Sequence, residues 1–305
     1  MKEPIHIPPI IPCPECQTAF SVEEKFIIDY FIGSIISCQH CKTSLDWWNV
    51  ILSSIKCNFS LFFAFSAIGA QSLVLDVPLE LGKTKHLRFN DYGIPPDAKL
   101  LYINYTPYTH GGCALSPLEI LGGVPIRHLI PHEVSLYPMP MGEGEVGKDC
   151  GASILVTWVT YVGDDESWQN LVDAFEAYGQ GRYAAEIIPA NVAVESILSR
   201  ILSGILLKFA SRDNVRNFLE NSATYGHQLN VVLPLVTSVM KLPTLPAHIR
   251  GLLNRLRDLR NQLAHDGKLE TALDQNEAAD LLCAALFGFR YMRLIHNRLS
   301  TMPAE

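Results

Sequence analysis

Two cysteine pairs constrain the first fifty residues more than any other feature of the chain. Cys13-Pro14-Glu15-Cys16 and Cys38-Gln39-His40-Cys41 are C-x2-C knuckles separated by 21 residues. Each knuckle places two thiolates on one turn, and two knuckles complete a tetrahedron suited to zinc. Residues 1–50 can bury little apolar surface, so metal binding would supply much of their folding energy. Two disulfides, an iron centre and unligated cysteines are the competing readings. Four protein ligands leave no open coordination position, so the expected Zn2+ is structural rather than catalytic. His40 could replace a neighbouring cysteine but reads as a bystander. Cys57, Cys113, Cys150 and Cys283 show no pairing pattern and read as free, mostly buried thiols.

The arrangement resembles a zinc ribbon. The remainder of the chain, which has 305 residues in all, is too long for one small core. With 48% apolar and 18% charged residues, extended disorder is not expected. Residues 51–165 are β-rich: 99–105 and 153–161 carry the β-branched and aromatic content of strands. Asn90-Asp91-Tyr92-Gly93, Pro95-Pro96, Gly111-Gly112 and Gly122-Gly123 punctuate them as turns. A sandwich or partly closed barrel is the natural packing. Residues 138–151 read as a surface loop.

The N-terminus has no apolar run preceded by basic residues, so no secretory signal is expected there. Residues 57–75 lack any charge and could span a bilayer by length. Asn58, Ser60, Ser66, Gln71 and Ser72 interrupt them, and Gly69 reads as a turn, so two buried strands are preferred. A cytoplasmic protein with no membrane contact is the expectation.

From Ser167 the pattern becomes helical. Ser167 can cap a helix over 168–178 that Gly179 and Gly181 end. A long amphipathic helix spans 184–210 with Pro189 near its start, and further helices cover 212–222, 226–241, 247–265 and 275–299. Five or six helices in residues 166–305 imply an all-α bundle. The fold class is therefore multidomain: a small zinc-ribbon-like segment over 1–50, an all-β domain over 51–165 and an all-α domain over 166–305.

The segment 247–267 carries the most chemistry. Leu252, Leu256, Leu259 and Leu263 form the stripe expected to pack on the bundle. Asn261 lies opposite, with His265 one turn later, and Arg257 and Asn254 one and two turns earlier. Arg260 sits at the flank. Residues 247–268 carry five Arg/Lys against two Asp, a local basic excess in a chain of net charge −7. That net charge argues against a general nucleic-acid-coating surface, yet one basic cleft suffices to hold RNA. Arginine can clamp a phosphate and stabilise charge developing on it, and histidine can exchange a proton near neutral pH. A 2′-hydroxyl would be the internal nucleophile, so no metal is needed. One copy of the helix provides one histidine, whereas two copies across a two-fold axis provide both an acid and a base.

Arg260-Asn261-Gln262-Leu263-Ala264-His265 resembles the R-x4–6-H signature of HEPN domains (higher eukaryotes and prokaryotes nucleotide-binding) in its R-N-x3-H form. Residues 174–185 and 193–198 are similar to the opening helices of that family, and the resemblance covers about 167–300. It implies a metal-independent ribonuclease acting at a homodimer or higher even oligomer interface, often as a toxin or phage-defence effector with a protein trigger or inhibitor. By that resemblance Arg260 and His265 are catalytic, Asn261 assists them, and Glu195, with Arg257, supports the site. Some members carry a tyrosine two positions after the histidine, where this chain has Gly267. A non-catalytic HEPN adaptor that dimerises and binds nucleic acid or nucleotide is the alternative. A zinc-dependent hydrolase would need an open metal position.

Other candidates carry less. Arg290, Arg293 and Arg298 could extend a basic groove but read as solvated helix ends. Gly142-Glu143-Gly144-Glu145-Val146-Gly147 mimics a phosphate loop, but its two carboxylates would repel phosphate. His110, His128 and His132 match no metal spacing and read as ordinary histidines.

Overall fold

Apolar alternation along residues 71–80 and 149–159 produces two long neighbouring strands, and the rest of the central segment assembles beside them. The computed structural model describes residues 3–21, 24–57, 61–109, 118–121, 132–140, 142–160 and 165–301. In chain order the first elements are β1 (Ile5–Ile7), β2 (Ile10–Pro12), β3 (Ala19–Ser21), α1 (Glu24–Phe31), β4 (Ile36–Ser37), β5 (Ser44–Leu45) and α2 (Trp47–Ile55). The middle comprises α3 (Leu61–Ala67), β6 (Gln71–Glu80), β7 (Lys85–Arg88), β8 (Lys99–Thr109), β9 (Leu118–Leu121), β10 (Glu133–Pro138) and β11 (Asp149–Val159). The helical part comprises α4 (Glu166–Gly179), α5 (Tyr183–Leu206), α6 (Arg212–Asn217), α7 (Tyr225–His227), α8 (Leu233–Val239), α9 (Ala247–Asp266) and α10 (Gln275–Thr301).

The chain divides into two compact units, one of residues 1–10 and 61–163, the other of residues 11–60 and 164–305. In the first, the antiparallel sheets run β1-β6-β11-β8 and β7-β10-β9. Leu73, Leu75 and Val77 of β6 and Ile154, Val156 and Trp158 of β11 share one buried cluster with Leu87, Val134 and Leu136 of the smaller sheet. Period-two alternation thus buries one face of each strand. The Ser72 and Thr157 hydroxyls, paired across β6 and β11, satisfy each other at 2.8 Å.

Residues 57–75 do not form two strands. Leu61–Ala67 is helical, Gly69 turns with φ +88°, and β6 begins at Gln71. Leu61–Ala67 holds no β-branched residue, and its Phe62 and Phe65 are buried, so packing decides a short apolar run that periodicity leaves open. Residues 51–55 likewise belong to α2, which Asp46 caps by accepting from Trp48 N–H at 3.1 Å. His132 holds loops together, with Nδ1 3.1 Å from Asn90 Oδ1 and Nε2 2.8 Å from the Ala98 carbonyl. His110, Cys113 and His128 lie outside the described residues.

In the second unit α10 is the central helix, buried at Leu281, Leu282, Ala285, Leu286 and Phe289. It packs against α4, α5 and α9, and also against α1 and α2. Tyr30 and Trp48 each meet the Phe287 ring, at 5.1 and 5.2 Å, and Phe31 meets Tyr291 at 5.0 Å. Lys56 pairs with Asp280 at 2.8 Å, and the Tyr178 hydroxyl donates to the Ile55 carbonyl at 3.0 Å. These contacts place the cysteine-bearing residues in the same unit as the helices. Asp165, not Ser167, caps α4 by accepting from Trp168 N–H, while the buried Ser167 accepts from Arg200 at 2.8 Å. On α9 the core stripe is Ile249, Leu253, Leu256 and Leu259, with Leu252 and Leu263 half-buried. Helix α5 is long and apolar enough to cross a membrane, but its Ile187, Val194, Leu198 and Leu202 are buried in this unit.

Candidate metal centre and polar cleft

The two cysteine knuckles have the same backbone design. Cys13 N–H donates to Thr18 and Gln17 N–H to Cys13; Cys38 N–H donates to Thr43 and Lys42 N–H to Cys38. Gln17 and Lys42 occupy the left-handed region at φ +59° and +63°, closing each turn so that a short strand can begin. The four thiols converge, with ligand atoms all within 4.8 Å of one another. Cys13 and Cys41 sulfurs are 3.9 Å apart, and Cys16 and Cys38 sulfurs 3.8 Å. A Zn–S bond of ~2.3 Å implies a tetrahedral edge of ~3.8 Å, so the set can hold a metal ion and is compatible with zinc. The Thr18 hydroxyl and backbone hold Cys16 down at about 5 and Thr43 lowers Cys41 in the same way, whereas Cys13 in the same cluster is raised to about 11. His40 is exposed and is not among the clustered ligands. Cys57, Cys150 and Cys283 are free, and burial raises the last two.

A second site lies in the helices. Asn191 and Glu195, one turn apart on α5, form one wall of a cleft of about 460 Å³. Arg257, Arg260 and Asn261 of α9 form the facing wall, and Tyr225 and Gly226, from the start of α7, contribute to it too. Arg260 Nη1 donates to Asn261 Oδ1 at 3.1 Å, and its Nη2 lies 3.9 Å from Glu195 Oε2. Asn191 Nδ2 donates to that same Glu195 oxygen at 3.0 Å. Arg257 binds the Asp258 carboxylate through Nε and Nη2, and its guanidinium lies where a Cβ at Gly226 would stand. Burial pushes the Tyr225 hydroxyl above its ordinary range, with Glu195 adding to the rise and Arg257 opposing it.

Four of the expected residues, Glu195, Arg257, Arg260 and Asn261, therefore meet in one cleft. His265, one turn further along α9, is exposed and outside the cleft lining, and it has no hydrogen-bond or ion-pair partner among the described residues. Asn254 pairs its amide with that of Asn230 at 2.8 and 3.0 Å. Arg290 and Arg293 do not extend the cleft: they stack over Trp168 and Phe289. Asn191, Thr224, Tyr225 and Gly226 also line the cleft and belong to no motif in the sequence. The spacing of Asn191 and Glu195, one turn apart on a helix, is the signal that could reveal the first. Each arginine faces a carboxylate, Arg257 closely on Asp258 and Arg260 loosely on Glu195, so an anion can bind by exchanging with these carboxylates and be oriented by the amides. No protein-family model, curated protein or solved structure matches the chain.

Proposed function

We propose that the chain is a HEPN-type endoribonuclease that cleaves RNA without a catalytic metal, at a site composed of Arg260, Asn261 and His265 from two subunits. The observation that carries this reading is the division of α9 into an arginine- and amide-lined cleft and, one turn beyond it, an exposed His265 with no partner among the described residues. In this reading a second α9 brings its own His265 opposite, giving a base for the 2′-hydroxyl and an acid for the 5′-oxygen. The 2′-oxygen attacks phosphorus, the 5′-oxygen leaves with a proton, and Arg260 offsets charge on the phosphoryl oxygens. The products are a 2′,3′-cyclic phosphate and a 5′-hydroxyl. Zn2+ on Cys13, Cys16, Cys38 and Cys41 is structural. The two central sheets, which share one core, form a sandwich that positions a ligand or partner. A cytoplasmic toxin or phage-defence effector, working as a homodimer under a protein trigger or inhibitor, fits this arrangement.

The test is RNA cleavage in brief EDTA treatment, with circular dichroism showing that the fold persists. Cleavage that survives EDTA and is lost in Arg260→Ala supports the proposal; full activity of that variant removes the site. One observation favours the non-catalytic adaptor: Arg260 already faces Glu195 and Asn261, as an arginine with a structural role would. An active protein that sediments as a monomer would contradict the composite site.

A further inference from the structure

The cleft continues from Arg260 away from His265, toward the N-terminal half of α9. Two groups in its lining lack partners: Asn191 Oδ1 and the Tyr225 hydroxyl are both buried and bonded to nothing among the described residues. Folded proteins seldom retain such atoms without a use. Here one is an acceptor and the other a hydroxyl, which together match a base edge offering a donor and an acceptor. The volume of about 460 Å³ is that of a small-ligand site. Arg257 and Arg260 stand three residues apart on one helix face, their Cβ atoms roughly 5–6 Å apart, a spacing that suits consecutive phosphates of one strand.

We propose that this cleft seats one nucleotide of the RNA, its phosphates on Arg257 and Arg260 and its base edge read by Asn191 and Tyr225. The ligand's identity as a ribonucleotide rests on the ribonuclease reading, which it deepens: base choice is made inside a single subunit. As the side chains stand, both reading atoms are covered. For a base edge to reach them, Arg257, whose guanidinium lies over Gly226 and binds Asp258, has to turn and exchange that carboxylate for the incoming phosphate.

The experiment titrates the full chain with the four ribonucleoside 3′-monophosphates and, separately, with inorganic phosphate. At least one nucleotide is expected to bind tenfold or more tightly than phosphate. Tyr225→Phe, which keeps the ring and removes one hydrogen bond, should weaken that nucleotide about fivefold and leave phosphate unchanged. Arg257→Gln, a rim change that spares the core, should weaken the nucleotide about tenfold. Equal affinity for nucleotide and phosphate overturns the inference, as does unaltered nucleotide binding in Arg257→Gln or in a folded Tyr225→Phe. Selective binding by a protein that cuts no RNA would overturn the ribonuclease and leave the pocket standing. RNA cutting with flat nucleotide affinities would overturn the pocket alone.

Discussion

Glu195 Oε2 accepts a hydrogen bond from Asn191 Nδ2 at 3.0 Å and lies 3.9 Å from Arg260 Nη2. The carboxylate is thus fixed from behind by its own helix and holds the arginine loosely in front. Both charged side chains are about a third exposed, so the pair adds little to stability. Glu195→Gln should therefore melt within about 2 °C of the wild type. Removing the negative charge should lower KM for RNA about threefold, while loosening Arg260 should lower kcat about tenfold. Steady-state kinetics separate the two effects.

Glu186 on α5 is buried, its two oxygens have no hydrogen-bond partner among the described residues, and burial pushes its carboxyl up to about 9 from an ordinary 4.5. The folded chain keeps this proton while the unfolded chain releases it, so stability is greatest below the unfolded value and falls as pH rises toward the folded one. At pH 7 the loss is on the order of 3 kcal/mol. Glu186→Gln should stabilise the protein at pH 8 and change little at pH 4.5. Urea unfolding across that window checks it.

Gly151 faces Tyr108 across β11 and β8, and a Cβ there would fall 2.6 Å from the tyrosine ring. Gly151→Ala should cost about 1–3 kcal/mol by overpacking. Tyr108→Ala in the same chain should recover part of that loss, a coupling that a double-mutant cycle in urea measures.

Removal of the metal should be felt in the helices. Because Tyr30, Phe31 and Trp48 pack on Phe287 and Tyr291 of α10, a collapsed cysteine segment strips that helix of its aromatic cover. Prolonged chelation, or Cys16→Ser with Cys38→Ser, should lower the Tm by about 10 °C or more and shift Trp48 fluorescence. An unchanged helical melt would show that the cysteines contribute nothing there.

Local rules make much of this legible. The knuckle spacing brings the four thiols together, and Gly267 ends α9 at φ +67° where the Asp-Gly pair predicts it. The leucine stripe differs at two of its four positions because Ile249 and Leu253, rather than Leu252 and Leu263, meet the core. The features that stay hidden in the sequence are long-range. Asn191, Tyr225 and Arg257 meet across more than thirty residues of chain, and no spacing rule joins them. The helix over Leu61–Ala67 is hidden for a related reason: a seven-residue apolar run fits either conformation until its neighbours are known.

The proposed proton transfer by His265 is tested by comparing wild type and His265→Ala on total cellular RNA with the cut ends mapped. The wild type should leave 2′,3′-cyclic phosphate ends, and the variant should lose about a hundredfold or more in rate. Equal cleavage by both proteins, or none by a folded wild-type dimer, would contradict it.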